Sequence, residues 1–269
     1  MKPFAALFGL IWSTSLAAEQ ITPPDFPRLA SADVVIFGEV HDNPEHHANQ
    51  ARALAALAPK AVVFEMLTPE QAALVPDDRS YYRALEAILG WNASGWPDFA
   101  MYYPLFTSQP AARIYGADLP QEATKLAVKS GAAAGFGPDA AVYGLTQPLD
   151  PADQSARQLE QAAAHCYQLP ADLLPGMVQV QRLRDAALAR AALQALADTG
   201  GPVVVITGTG HARTDTGMPV PLLRAAPDVR VLSVGQYESD PGPAPPNDFW
   251  LITPALPRED PCLAFSTPG

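Results

Sequence analysis

The apolar positions of this chain fall into short continuous runs, separated by longer stretches with helical periodicity. The strand candidates are Asp33–Phe37, Ala61–Glu65, Ala112–Ala117, Val203–Thr207, Val229–Val234 and Phe249–Ile252. Most are unbroken, the pattern of strands covered on both faces. The first helix has a clear start, with Asn43 as cap, Pro44 in the first helical position and Glu45 at the positive end of the dipole. It runs through Leu54 and Leu57 to a stop at Pro59. Further helical stretches cover Ser80–Leu89, Gln121–Ala134, Pro151–Tyr167 and Pro175–Ala197. The last is rich in Ala, Leu, Gln and Arg, all strong helix formers. Strands alternating with helices predict an α/β fold, a mainly parallel sheet flanked by helices. Helical elements within about 69–110 and 120–200 are expected to form a cap over the carboxyl edge of that sheet.

Two of the runs end alike. Val34-Val35-Ile36-Phe37 leads into Gly38-Glu39-Val40-His41, and Val203 to Thr207 leads into Gly208-Thr209-Gly210-His211. Open parallel sheets bind ligands at the carboxyl ends of their strands. Three of the five histidines, His41, His46 and His47, follow the first run. Glu65 closes the second, Asp118 follows the third and Arg213 follows the fourth. A carboxylate after Ala61-Val62-Val63-Phe64 is costly to bury unpaired, and Arg52 and Arg213 are its candidate partners. Such a pair serves either a site or a structural lock between strand and helix. Glycine lets backbone approach a ligand, and two imidazoles are expensive to converge without purpose. Gly38–His41, Glu65 and Gly208–His211 are therefore expected to meet at one sheet edge.

Other site chemistries are set aside on spacing. His41, His46 and His47 lack the His-Glu-x-x-His interval, so a metal would need His41 and His211 with Glu39 or Glu65 from across the sheet edge. There is no Gly-x-Ser-x-Gly elbow and no phosphate-cradling Gly-x-x-x-x-Gly-Lys loop.

Composition narrows the class. The chain has 269 residues, 48% of them hydrophobic, enough for a substantial core. A formal charge of −11 argues against nucleic acid, whose phosphates need clustered Lys and Arg, and against anionic lipid. Lys2, the apolar segment Phe4 to Trp12 and the small residues Ser15 to Ala18 read as a signal peptide over residues 1–18. No cysteine stands near the cleavage site to carry a lipid. The expectation is a soluble, exported, periplasmic protein of residues 19–269. Cys166 and Cys262 are too few for a structural zinc site and are not a Cys-x-x-Cys pair. In an oxidising compartment two such cysteines most often bridge each other; the alternative is two buried thiols.

The motifs together resemble the ChaN-like haem-binding uptake proteins of the Tiki superfamily. The resemblance runs through Gly38-Glu39-Val40-His41-Asp42-Asn43-Pro44-Glu45-His46-His47, Glu65-Met66 and Gly95-Trp96-Pro97-Asp98 with Tyr102 and Pro104. It continues through His165-Cys166, Gln181-x-x-Arg184-Asp185, Gly208-Thr209-Gly210-His211-Ala212-Arg213 and Asp260-Pro261-Cys262. It implies ferric haem as ligand, a tyrosine on the iron, a homodimer enclosing haem, and an outer-membrane uptake receptor as partner. A phenolate is a hard anionic donor suited to ferric iron. Tyr102 is the implied ligand, with Tyr103, Trp96, His46 and His47 as further haem contacts. The wider superfamily includes erythromycin esterases and metalloproteases. The alternative function is therefore a metal-dependent hydrolase built on Glu39, His41, Glu65, His211 and Arg213 with a divalent metal.

Overall fold

The apolar runs lie side by side, and every strand pair is parallel. The computed structural model describes residues 18–260 and 262–263. The expected signal peptide, residues 1–18, lies outside them save for Ala18. The strands are β1 (Glu19–Gln20), β2 (Val34–Glu39), β3 (Ala61–Phe64), β4 (Arg113–Gly116), β5 (Val203–Gly208), β6 (Val231–Tyr237) and β7 (Phe249–Ile252). Their order is β1-β7-β6-β2-β5-β3-β4, so β2 and β5 are neighbours at the centre.

Helices cover both faces. They are α1 (Pro44–Leu57), α2 (Pro69–Ala73), α3 (Tyr82–Leu89), α4 (Phe99–Thr107), α5 (Gln121–Ser130), α6 (Ala132–Phe136), α7 (Pro151–Ala164), α8 (Leu174–Thr199), α9 (Thr209–Ala212) and α10 (Pro219–Ala225). Side chains alternate along a strand, so each central strand feeds two cores. Val35, Phe37, Val62, Phe64, Val204 and Ile206 pack against Leu54 and Leu57 of α1 and Phe99 and Phe106 of α4. Val34, Ile36, Val63, Val203 and Val205 pack against Leu188, Ala189 and Ala192 of α8 and Leu222 of α10. A third cluster, away from the sheet, joins Ala127, Ala132 and Phe136 to Leu183 and Ala186 of α8. The long α8 thus holds the sheet with one part and the α5–α6 segment with another.

Sequence and structure differ where local geometry intervenes. The expected helix Gln121–Ala134 breaks at Gly131, whose φ of +91° leaves the helical region. The helix expected to reach Tyr167 stops at Ala164, because Cys166 and Tyr167 both take left-handed backbone. The last strand before β7 starts at Val231, not Val229, since Asp33 accepts hydrogen bonds from the backbone and side chain of Arg230. No described helix is long and apolar enough to cross a membrane. Cys166 and Cys262 form a disulfide, which ties the C-terminal segment to the end of α7.

Candidate functional site

Register brings the two Gly-x-x-His turns together. β2 and β5 pair with Gly38 opposite Thr207 and Glu39 opposite Gly208. β3 pairs with β5 on its other side, Phe64 opposite Ile206, so Glu65 leaves its strand beside Thr207. The expected convergence follows: a Cβ on Gly208 would lie 2.9 Å from Nε2 of His41 and 3.7 Å from Oε2 of Glu65. Only glycine leaves room for that imidazole.

Glu39 anchors one half of the cluster. Its buried carboxylate accepts from His41 Nδ1 (2.8 Å), the Tyr102 hydroxyl (2.8 Å) and Gln50 Nε2 (2.7 Å). His41 is one-third exposed, and Trp96 meets its ring edge-on with centroids 4.9 Å apart. Burial opposes the charged form of His41, but the Glu39 hydrogen bond and the charges of Glu39 and Glu65 outweigh it, raising its pKa. Glu65 anchors the other half, accepting from the Thr207 hydroxyl and the Gly208 N–H, both at 2.7 Å. His211 Nε2 faces Glu65 at 3.6 Å, and Asp185 on α8 accepts from His211 Nδ1 at 2.7 Å. Burial works against the His211 imidazolium, yet Glu65 and Asp185 outweigh it and push the pKa up to about 9. Burial likewise opposes the Glu65 carboxylate, but the charges of His211 and His41 hold its pKa below the ordinary value. The arrangement stores a proton on His211 beside an ionised Glu65, the equipment of acid–base chemistry.

Several expected roles need correction. Glu65 does not pair with arginine: Arg52 donates to Asn49, and Arg213 is held by Asp215 and Thr216. Asp118 stands apart, accepting from the Leu119 N–H. His46 is buried and neutral, its pKa lowered to about 4 by burial; it accepts from the Val40 N–H and bonds Thr253. His47 is equally buried and donates Nε2–H to the carbonyl of His41. Both shape the β2–α1 turn, their ring nitrogens facing Val40, Thr253 and the carbonyl of His41. Tyr102 is 0% exposed, and burial, then Glu39, drives its phenol strongly upward, so its hydroxyl is a buried donor to Glu39. Tyr103 is half-buried, with its hydroxyl donating to the carbonyls of Arg79 and Ser80. Trp96 remains as the cover of His41.

Among the described residues no group of three His, Cys, Asp or Glu is arranged to hold a metal ion, and Oε2 of Glu65 is committed to Thr207 and Gly208. Sequence reasoning also missed two members. Asp185 is buried on α8 beside Leu188 and Ala189, and its place in the Gln181-x-x-Arg184-Asp185 motif was the available signal. Gln50, in the second turn of α1, carried no comparable mark.

A second region displays what the cluster hides. Tyr167 is 73% exposed, and it and Cys166 hold φ of 57° and 56°. Left-handed backbone at two successive non-glycine residues costs roughly 1–2 kcal/mol each and accumulates at functional positions. The disulfide brings Leu263, 61% exposed, close to this turn, while Leu159 on α7 (67%) and Leu173 before α8 are also open to solvent. Tyr81 is the other widely exposed tyrosine and stands at an ordinary helix start.

Comparison with known proteins agrees with this architecture. The family described as haem-binding uptake, Tiki superfamily, ChaN matches residues 26–222. ChaN of Campylobacter jejuni, whose structure is described as binding cofacial haem, is 18% identical, with 83% of this chain and 89% of that one aligned at a TM-score of 0.60. The type III effector HopBA1 is 15% identical over 91% of this chain and 100% of its own, at 0.43. A Bacillus cereus protein is 10% identical over 82% and 72%, at 0.37. No curated protein matches the chain by sequence.

Proposed function

The chain belongs to the ChaN haem-binding uptake family of the Tiki superfamily, and from that membership we propose that it binds ferric haem through Tyr167. The exposure of that phenol on a strained turn is the observation that carries the assignment. A porphyrin needs a donor that it can reach face-on, with apolar surface to lie against; Leu159, Leu173 and Leu263 supply such surface. Ferric charge is what lets a phenol lose its proton on binding. A second copy of the same patch covers the opposite face of the haem, giving a homodimer that forms with its ligand. The mature chain, residues 19–269, works as one haem-binding unit in the periplasm, carrying haem or iron to or from an outer-membrane uptake receptor. The signal-like leader and the disulfide support an oxidising, exported setting.

Haem titration with absorbance and mass read together tests this. The wild type is expected to develop a Soret band and a ferric tyrosinate charge-transfer band as its mass doubles. Tyr167→Phe is expected to lose the charge-transfer band and bind at least tenfold more weakly, with its melting temperature kept. A wild-type spectrum from Tyr167→Phe would remove Tyr167 as the ligand.

A further inference from the structure

One cavity has a charge content opposite to that of the chain around it. It holds about 170 Å³ between the 143–149 turn, α7, α8 and α10. Arg157 of α7, Arg182 of α8 and Arg224 of α10 line it, and Asp185, already bonded to His211, is the only carboxylate among the lining residues. Gathering three guanidiniums in a protein of charge −11 is unfavourable by itself. Burial and then the charge of Arg157 hold Arg182 below the ordinary arginine range.

The three arginines divide the work. Arg182 is committed: it donates to Gln179 Oε1 (3.2 Å), the Gly144 carbonyl (3.1 Å) and the Gln147 carbonyl (2.7 Å). Arg157 gives Nη1 to the Thr216 carbonyl at 3.4 Å, which leaves its Nε buried without a protein partner. Nε–H and Nη2–H share one edge of the planar guanidinium, the fork that matches two oxygens of a carboxylate or phosphate. Arg224 is exposed and passes over Gly144, where a Cβ would lie 2.7 Å from its Cδ and where φ is +76°. Gly144 is thus what lets Arg224 reach over the cavity. A second cavity shares Arg157, Asp185 and Thr216 and reaches His211; in its wall Gln161 Oε1 is also buried without a partner. The unmet N–H of Arg157 is a buried donor of the kind packing alone rarely leaves behind.

We propose that this cavity binds a small oxyanion, a carboxylate or phosphate group, held by the Nε–Nη2 edge of Arg157, with Arg182 as fixed charge and Arg224 closing the mouth. The bound anion lies next to the His211–Asp185 pair. This binding does not depend on haem. Thermal melts of the full chain, titrated with inorganic phosphate, succinate and chloride at matched ionic strength, test it. A saturable rise in melting temperature with phosphate, with succinate or with both is expected, and none with chloride; the salt that acts tells phosphate from carboxylate. Arg157→Gln is expected to weaken that response at least tenfold, the loss of a charged hydrogen-bonded fork. Arg224→Gln lies at the surface and keeps the test open if Arg157→Gln does not fold; it is expected to weaken the response about threefold or more. Equal shifts with all three salts, or wild-type titrations from both variants, would overturn the proposal.

Discussion

At the scale of single residues, the carboxylates at the sheet edge set the behaviour of the groups around them. His211 is the clearest case. Its folded pKa of about 9 lies above the ordinary histidine value of 6.5, so the stability it contributes is complete below about pH 6.5 and lost as pH rises through about 9. His46 acts in the opposite sense: lowered to about 4, it contributes above 6.5 and loses that contribution as pH falls toward 4. Melting temperature measured against pH should therefore peak near neutrality. His211→Gln should flatten the alkaline limb and leave the acid limb standing. An unchanged alkaline limb would mean that His211 is not charged in the folded protein.

Tyr102 belongs to the same scale. Tyr102→Phe removes the 2.8 Å hydrogen bond to Glu39 but keeps the ring among Trp91 and His47. A lost bond to a buried charge costs roughly 1.5–3 kcal/mol, to be read from urea denaturation. Because its hydroxyl faces inward, the haem spectrum of this variant should match the wild type. A lost charge-transfer band would return Tyr102 to the iron.

At the scale of elements, the β2–β5 register is the device that builds the cluster. β5 supplies Gly208 opposite Glu39 and against the imidazole of His41, Gly38 of β2 lies against Thr209 and Ala212, and a slip of one residue would turn these groups to the opposite face. Gly208→Ala tests how tight that fit is. Its Cβ would press on Nε2 of His41 at 2.9 Å, and β5 cannot retreat because it is paired on both sides. His41 must then swing away from Glu39. NMR titration of the variant should show a His41 pKa shifted down toward the ordinary value, together with a loss of roughly 1–3 kcal/mol in stability. An unmoved His41 titration would mean that its partner is not fixed by this approach.

For the whole molecule, the disulfide is the covalent link between the C-terminal segment and the end of α7. Cys166 and Cys262 are 96 positions apart, so the bond restrains the unfolded chain by about 4–5 kcal/mol in the chain-entropy model. It also fastens the segment carrying Leu263 to the turn carrying Tyr167. Reduction should lower the melting temperature and weaken haem binding together, measured on one sample with and without dithiothreitol. Haem binding that survives reduction unchanged would separate the turn from its tether.

The sequence by itself determined the α/β alternation, the six longer strands, the cap and start of α1, and the meeting of Gly38–His41, Glu65 and Gly208–His211. These follow from apolar runs and strand ends, which are local properties repeated across a parallel sheet. The tertiary structure decided which partner each polar group takes. Glu65 met Thr207, Gly208 and His211 instead of an arginine, and Asp185 joined His211 from α8, 26 positions earlier in the chain. It also turned the Tyr102 hydroxyl inward and Tyr167 outward. Periodicity reports that a side chain lies on a helix, but not which neighbouring layer covers it. Burial, and with it the pKa and the availability of a phenol or an imidazole, is fixed only when those layers pack.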